Sequence, residues 1–573
     1  MAALIRNPEA LEARTYDVAI VGGGIQGLAV AWEAALRGLS VALVEQRDFG
    51  GGASQGAFKI IHGGLRYLQQ LDFIRLRESA LEQRFFRKAA THLVRPMPFL
   101  VPCYGYGSRS RELLSFVLWL YERLAADRNT GVPDQARLPN FRVLSTEEAL
   151  AMAPHLQQRG LRGAVLFHDC QMVNCDRVTL LFAKAAAEAG ATIVNYIKAE
   201  SFTLGDGRVQ ALRVHDLESG KHYSLCASQY VNAAGAWINR ILPNGVPEVR
   251  PAAFSKGIQL VLDRQISDVA ISVESSFADP TAKLARGGRN YFAVPWSGKT
   301  LIGTADRNYH GDPSDYSFSE EEVGDFLAEF CALYPAPELK QSILTRAFGG
   351  LRPTKITIKD THSTSSDDYL TVAREDLVIS HKEDGLSNLF SVSNVKYTTA
   401  RAVAARAVYL LTGNKQPHST HERCFSQCVS NVAKALEALQ ARFETGFDSH
   451  TIERLLVEFG TEAELILKAA EKEPALSALF GQGITAAEVS YCLEQEMVVH
   501  LVDVMYRRTS FAAAGLPEWS EVERLAKFVA KRLSWSEERL QHELTLVRGE
   551  ANKTSDRNFT AHPLKNEVKA ARQ

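Results

Sequence analysis

The first chemistry legible in this chain is carried by three glycines. Gly22, Gly24 and Gly27 stand in Gly22-Gly23-Gly24-Ile25-Gln26-Gly27, directly after the apolar run Asp17-Val18-Ala19-Ile20-Val21 and directly before the alanine-rich stretch Leu28 to Gly38. At this spacing Gly22 permits a tight turn, Gly24 lets the backbone approach a pyrophosphate, and Gly27 lets a helix pack closely on a strand. The unpaired N–H groups at the helix start, at the positive end of its dipole, then meet a dinucleotide phosphate. A second strand, Ser40 to Val44, ends on Glu45. That carboxylate suits a ribose diol, and its charge disfavours a 2′-phosphate. A glycine turn by itself is weak, but strand, turn, helix, strand and terminal acid in this order point to a dinucleotide. The position near the N-terminus fits a flavin enzyme, although a nicotinamide enzyme can begin in the same way. The next segment, Phe49-Gly50-Gly51-Gly52-Ala53-Ser54, is a small-residue run able to lie along a cofactor.

The elements that must position this unit come from a long chain. At 573 residues it predicts two or three folding units. With 46% apolar and 23% charged residues and a formal net charge of -1, it has the balance of a soluble globular protein. That charge argues against nucleic acid as the partner, so any anion site must come from local clusters. The cysteines are scattered without a metal-ligand pattern, and Cys424 with Cys428 reads as a helix-face coincidence. They are expected to be reduced thiols in a cytosolic compartment, and no metal is expected. Met1 to Arg14 lacks the apolar core of a secretory signal. No run reaches the roughly 18 apolar residues of a membrane span.

Leu71 to Lys88 has the spacing of an amphipathic helix, and the prolines of Val94 to Pro102 impose an extended strand. Arg109 to Arg128 is dense in large apolar residues, among them Leu113, Phe116, Trp119 and Tyr121, with arginines at its flanks. This is the composition of a helix lying in a lipid headgroup layer and equally of a buried helix. Ser145 to Glu148 has the form of a capping box. Tyr230-Val231-Asn232-Ala233-Ala234-Gly235 is a strand entering a small-residue turn, as a second close pass against a dinucleotide requires. Pro251 to Pro313 reads as antiparallel sheet, with strands at Ile258 to Leu262, Tyr291 to Pro295 and Thr300 to Thr304, roofing the nucleotide unit. Asn394 to Thr399 leads into a small-residue helix, Ala400 to Leu411, whose N-terminal amides return to the cofactor. Beyond Thr412 to Pro417 the periodicity is helical, and the polar tail after Gly549 is expected to be disordered.

Lys59-Ile60-Ile61-His62-Gly63-Gly64-Leu65-Arg66-Tyr67-Leu68 closely resembles the flavin-proximal segment of the FAD-dependent, membrane-associated glycerol-3-phosphate dehydrogenases. Asn232-Ala233-Ala234-Gly235 and Val504-Met505-Tyr506-Arg507-Arg508-Thr509 are similar to further segments of that family. The resemblance implies FAD as cofactor, bound by Gly22, Gly24, Gln26, Gly27 and Glu45, by Ser54, Lys59, His62 and Gly64, and by Ala234, Gly235, Lys396, Tyr397 and Thr398. It implies a substrate site in which Leu-Arg-Tyr supplies Arg66 and Tyr67, Gly-Thr before an aspartate supplies Thr304, and Arg-Pro supplies Arg352. Arg-Glu-Asp supplies Arg374, and the lysine before two threonines supplies Lys396. Four of these six residues are cations, as a buried phosphate dianion demands in place of its lost hydration.

The implied reaction is oxidation of sn-glycerol 3-phosphate to dihydroxyacetone phosphate. Hydride passes from C2 to the flavin, a base takes the hydroxyl proton, Arg352 polarises the oxygen, and electrons continue to a quinone. The sequence departs from the family at Gln259, where relatives carry a histidine that is a candidate base. Glutamine cannot hold a proton near neutral pH. His62 is the remaining nearby imidazole, read either as the base or as a structural hydrogen bonder. Asn394-Val395 replaces paired glycines, and Gly-Gly-Ala-Ser replaces a Thr-Ser-Ser stretch.

The expected fold class is α/β, a Rossmann-like FAD-binding domain with an antiparallel-sheet substrate subdomain, plus an all-α C-terminal domain. The expected divisions are 1–412 for the oxidoreductase, with its cofactor and substrate parts interleaved, 413–550 for the helical cap and 551–573 for the tail. The resemblance places the protein in the cytoplasm, on the inner face of the cell membrane, with a quinone or the membrane surface and a small phosphorylated substrate as partners and a homodimer as an open assembly. Two other readings stand beside this one. One is a divergent flavin oxidase using oxygen on another small anionic alcohol or amine; the other is a flavin-free scaffold whose helical region recruits a partner.

Overall fold

The apolar run after Tyr16 forms the strand Tyr16–Val21 inside a six-stranded sheet of the computed structural model, which describes residues 3–107, 110–251, 253–278, 288–356, 370–373, 375–413, 420–443 and 446–553. Val41–Val44 and Ala227–Asn232 flank it, both parallel. Thr192–Val194 and Leu389–Ser393 extend the sheet in parallel, and Leu377–Ser380 closes one edge antiparallel. Alternation along these strands serves two layers. Val18 and Ile20 pack on helices, whereas Ala19 and Val21 pack on a three-stranded antiparallel meander of Ile197–Gly205, Arg208–Asp216 and His222–Leu225. Because both faces are covered, these strands read as unbroken apolar runs.

The helix layer consists of Ile25–Leu36, Cys175–Glu188 and Ala400–Thr412. Trp32 anchors it, stacked on Phe425 at 5.1 Å and set edge-on to Phe182.

The roof is larger than its sequence implies. Phe254–Leu262 pairs antiparallel with Lys299–Tyr309, Leu344–Phe348 and Leu351–Ile356. The sheet continues through Gly288–Trp296 and Ala270–Ala278 to Val94–Tyr104, then Leu161–Met172 and the two-residue strand Ile60–Ile61. The chain segment after the glycine motif is thus stitched into the roof, an outcome of pairings between residues a hundred positions apart. Ser145 and Glu148 form the expected capping box.

Residues 429–547 build a separate helical core around Leu455, Ile466, Val489, Leu525 and Val529. This helical region docks on the α/β part through buried ion pairs. Asp48 lies 2.6 Å from Arg508 and 2.7 Å from Arg507, and Arg177 lies 2.6 Å from Glu496. The last helix, Glu537–Lys553, runs past the expected start of the tail, and the remainder of the tail lies outside the described residues.

The helix within Arg109 to Arg128 is Arg111–Leu124, and only Leu118 and Tyr121 of it are buried. Leu113, Phe116 and Trp119 are exposed, with Phe116 and Trp119 stacked at 5.9 Å. The neighbouring segment adds Leu71, Phe73 and Ile74, the last 84% exposed. No described helix is long and apolar enough to cross a membrane.

Candidate active site

The glycine turn has the geometry its spacing predicts. Gly22 sits at φ 108°, and a Cβ there would lie 2.5 Å from the Ala233 carbonyl oxygen. A Cβ on Gly27 would lie 1.8 Å from the Gly22 oxygen, so only glycine allows helix and strand to meet at this distance. The backbone of Ala233 and Ala234 therefore passes close against the glycine turn. Gly24 is the N-cap of the helix Ile25–Leu36, and Ser54 Oγ accepts from the Ile25 amide at 3.0 Å. Glu45 accepts from the amides of Gly23 at 2.6 Å and Arg47 at 2.9 Å. Burial raises its carboxyl pKa above the ordinary range, and the two amides oppose that shift. Gln26, on the first turn of the helix, is buried with no hydrogen-bond partner among the described residues on either side-chain polar atom. A buried amide without partners is costly. Together with the cradle that any Cβ would fill, it fits the pyrophosphate end of a dinucleotide.

The segment after Ser54 lies against the roof. A Cβ on Gly56 would lie 2.1 Å from the Gly349 oxygen. Gln259 donates from Nε2 to the Gly56 oxygen at 2.9 Å, leaving its Oε1 buried without a partner among the described residues. The residue that replaces the family's histidine thus ties roof to loop. Lys59 is buried at φ 61°, donates to the Gln55 oxygen at 2.9 Å and reaches Cys175 Sγ at 2.7 Å, with its ammonium over the Phe348 ring. Its charge is engaged at the start of the helix Cys175–Glu188. A cleft opens between residues 51–56, Phe348–Gly349 and the end of the last helix, with Arg47, Arg346 and Lys553 on its walls.

The turn bearing His62 is pinned from several sides. The Gly63 amide donates to Asp169 at 2.7 Å, Tyr121 donates to the Gly63 oxygen at 3.3 Å, and Gln83 donates to the Ile61 oxygen at 3.0 Å and to Asp169. Burial pushes the Asp169 carboxyl up to about 7 despite these donors. Gly64 follows at φ 87° and opens the short 3₁₀ helix Leu65–Gln70. His62 is half-buried on this turn.

Of the expected substrate residues, the structure brings two pairs together. The Lys396 ammonium lies 3.6 Å from the centroid of the buried Tyr67 ring, whose hydroxyl has no hydrogen-bond partner among the described residues. Arg352 and Thr304 meet over Gly257, where a Cβ would lie 3.3 Å from Thr304 Cγ2 and 3.8 Å from Arg352 Nε. Arg352 forms an ion pair with Asp306, which also accepts from Ser255 Oγ at 2.7 Å. The Arg66 side chain and the whole of Arg374 lie outside the described residues.

Asn394, in place of a glycine, closes an Asx turn by accepting from the Lys396 amide at 2.7 Å, and Asp376 accepts from Val395 at 2.9 Å. The Tyr397 hydroxyl is engaged with Thr179 at 2.9 Å and the Cys175 oxygen, while Thr398 is buried just before the helix Ala400–Thr412. Gly235 starts the 3₁₀ helix Gly235–Ile241 at φ 57°. Reading the sequence missed Asp306, Asp169, Gln83 and Asp48. Each acts across the fold, and no local spacing marks it.

The chain matches a family model described as FAD dependent oxidoreductase over residues 17–410, and one described as C-terminal domain of alpha-glycerophosphate oxidase over residues 411–540. Among similar proteins is the glycerol-3-phosphate dehydrogenase of Synechocystis sp., 28% identical over 526 residues, 89% of this chain and 91% of that protein. Another is the aerobic glycerol-3-phosphate dehydrogenase of Staphylococcus epidermidis, 28% identical over 511 residues and 86% of each chain. The solved glycerol-3-phosphate dehydrogenase from Bacillus halodurans, complexed with FAD, superposes with a TM-score of 0.71 at 23% identity, covering 95% of this chain and 96% of that one.

Proposed function

We propose that this chain, which belongs to the FAD dependent oxidoreductase family, oxidises sn-glycerol 3-phosphate to dihydroxyacetone phosphate and delivers the electrons to a membrane quinone. The supporting observation is the course of residues 53–67. This segment touches the nucleotide cradle at Ser54, runs under the roof at Gly56, and ends at Tyr67 beneath Lys396. Relatives matching over most of the chain length are named glycerol-3-phosphate dehydrogenases.

Bound FAD supplies the hydride acceptor. The chain's own residues do the rest. Gly22, Gly24, Gln26, Gly27, Glu45 and Ser54 hold the nucleotide, while Gly64, Ala234, Gly235, Tyr397 and Thr398 approach it by backbone. Lys396, together with Arg66 and Arg374, takes the phosphate dianion, and this remote binding orients C2. Arg352, held by Asp306, directs its guanidinium to the oxygen that becomes a carbonyl. Thr304 and Tyr67 complete the wall. His62 takes the hydroxyl proton. The exposed apolar face of Arg111–Leu124, with Leu71, Phe73 and Ile74 nearby, seats the enzyme on the lipid surface where a quinone resides. Residues 1–412 carry the reaction, and 413–550 form the cap that braces the cofactor loop at Asp48.

Mixing the FAD-loaded protein with glycerol 3-phosphate without oxygen tests the reading: the oxidised flavin absorbance should bleach, and a persistent oxidised spectrum would reject it. Reoxidation by a quinone analogue without peroxide supports the acceptor assignment, whereas stoichiometric peroxide in air would replace quinone by oxygen.

A further inference from the structure

Away from the cleft, the three-stranded meander carries a side-chain cluster that the reaction does not use. His215 and His222 are directly opposed across the antiparallel strands Arg208–Asp216 and His222–Leu225. Opposed residues leave a sheet on the same face, and the two imidazoles stack at 4.4 Å with 12° between their planes. Glu200 reaches them from the third strand, Ile197–Gly205. The pairing of that strand slips between Ala199 and Ser201, so Glu200 is the extra residue of a β-bulge. Bulges re-aim single side chains, and here Glu200 and Ser201 are consecutive exposed residues where a regular strand would alternate.

The bulge places Glu200 Oε2 at 3.2 Å from His222 Nδ1 and Oε1 at 3.9 Å from His215 Nδ1. One ligand atom from each of the three side chains falls within 4.8 Å of the others. We propose that Glu200, His215 and His222 bind a divalent transition-metal ion of the zinc class, with the remaining coordination position open to water. Two imidazoles and one carboxylate suit zinc, nickel or copper, whereas magnesium and calcium prefer all-oxygen sets. Ligand bonds of about 2.0–2.2 Å in a tetrahedron set neighbouring donors roughly 3.3 Å apart. Glu200 and His222 already stand at that separation, and His215 closes to it by a rotation of its half-buried side chain.

One group competes for the site. Arg213 Nε lies 3.2 Å from Glu200 Oε2, on a side chain 60% exposed and free to swing into solvent. A bound ion would fasten all three strands, including the pair whose connecting turn carries Glu218 to His500 of the helical region at 3.0 Å.

The test is a zinc chloride titration of the full-length, FAD-loaded protein, stripped first with a chelator, against a chromophoric competitor. The expected result is one saturable equivalent per chain, weakened at least about tenfold in E200Q and in H222Q. R213Q should tighten it several-fold, because the competing cation is gone, which distinguishes this cluster from zinc held by scattered cysteines. Cobalt in place of zinc should give a ligand-field spectrum that H215N abolishes. Zinc uptake equal in the wild type and the E200A/H215A/H222A variant, or no saturable equivalent in the wild type, would overturn the proposal.

Discussion

Lys396 rests its ammonium on the face of Tyr67, which offsets part of the cost of taking a lysine out of water. The tyrosine thereby holds the cation where a dianion can meet it. A charge-assisted hydrogen bond contributes about 1.5–3 kcal/mol. The Lys396→Ala variant should therefore raise the KM for glycerol 3-phosphate by about 10–100-fold, and an unchanged KM in steady-state kinetics would remove Lys396 from the phosphate site. Arg352 is arranged differently, with its charge shared with Asp306. Asp306→Asn should lower kcat more than it raises KM, since the guanidinium loses its aim and the phosphate contacts stay; equal loss in both would argue against a polarising role. Asp306 shows why single residues are only partly legible. The Gly-Thr-Ala-Asp run marks Thr304, but nothing in it says that Asp306 faces Arg352, because that pairing depends on the register of two strands against Phe254–Leu262.

At the scale of elements, periodicity sufficed for existence and not for environment. Arg111–Leu124 is the clearest case, since its composition is equally that of a core helix, and the structure leaves Leu113, Phe116 and Trp119 in solvent while only Leu118 and Tyr121 are buried. A surface of this kind is costly in water, and burial against lipid, as proposed above, would stabilise it. Replacing Leu113, Phe116 and Trp119 together by serine should abolish flotation with anionic liposomes and leave flavin reduction by substrate intact. Equal flotation of the triple variant would retire this helix as the membrane contact. No local signal marks a strand at Ala270–Ala278, and the prolines that extend Val94 to Pro102 do not say which sheet the observed strand Val94–Tyr104 joins. Both belong to pairings closed by distant chain segments, which local pattern does not encode.

At the scale of the whole molecule, the helical region is fastened to the cofactor side by charge. Burial disfavours the Asp48 carboxylate, yet Arg508 and Arg507 hold its pKa below the usual range. Breaking one member of such a buried network strands the others and costs about 3–5 kcal/mol. Asp48→Asn should lower the melting temperature and weaken FAD retention together, since the loop from Phe49 to Ser54 follows directly; a loss of stability without loss of FAD would separate the brace from the cofactor loop. A second contact is sensitive to pH. Burial would lower the His500 pKa, but hydrogen bonds to Glu218 and Glu543 raise it from 6.5 to about 9. The folded state then binds this proton more tightly than the unfolded chain. The stabilisation is fully present below about pH 6.5 and is lost as pH rises through about 9. His500→Gln should therefore melt below the wild type near pH 6, with the gap closing by about pH 10; a gap independent of pH would mean that His500 acts by packing alone.

The nucleotide turn was written in the order of residues, because it depends on contacts within one or two neighbouring elements, and FAD and the family followed from the resemblance carried by Lys59 to Leu68. Gly22, Gly27 and Glu45 need only a strand, a turn and a helix to acquire their meaning. The tertiary structure alone decided which face of Arg111–Leu124 meets water, that Asp48 is clamped by Arg507 and Arg508, and that a bulge turns Glu200 toward two stacked imidazoles. Those outcomes hang on strand register and on packing between residues far apart in the chain, and neither quantity is a property of any local stretch of sequence.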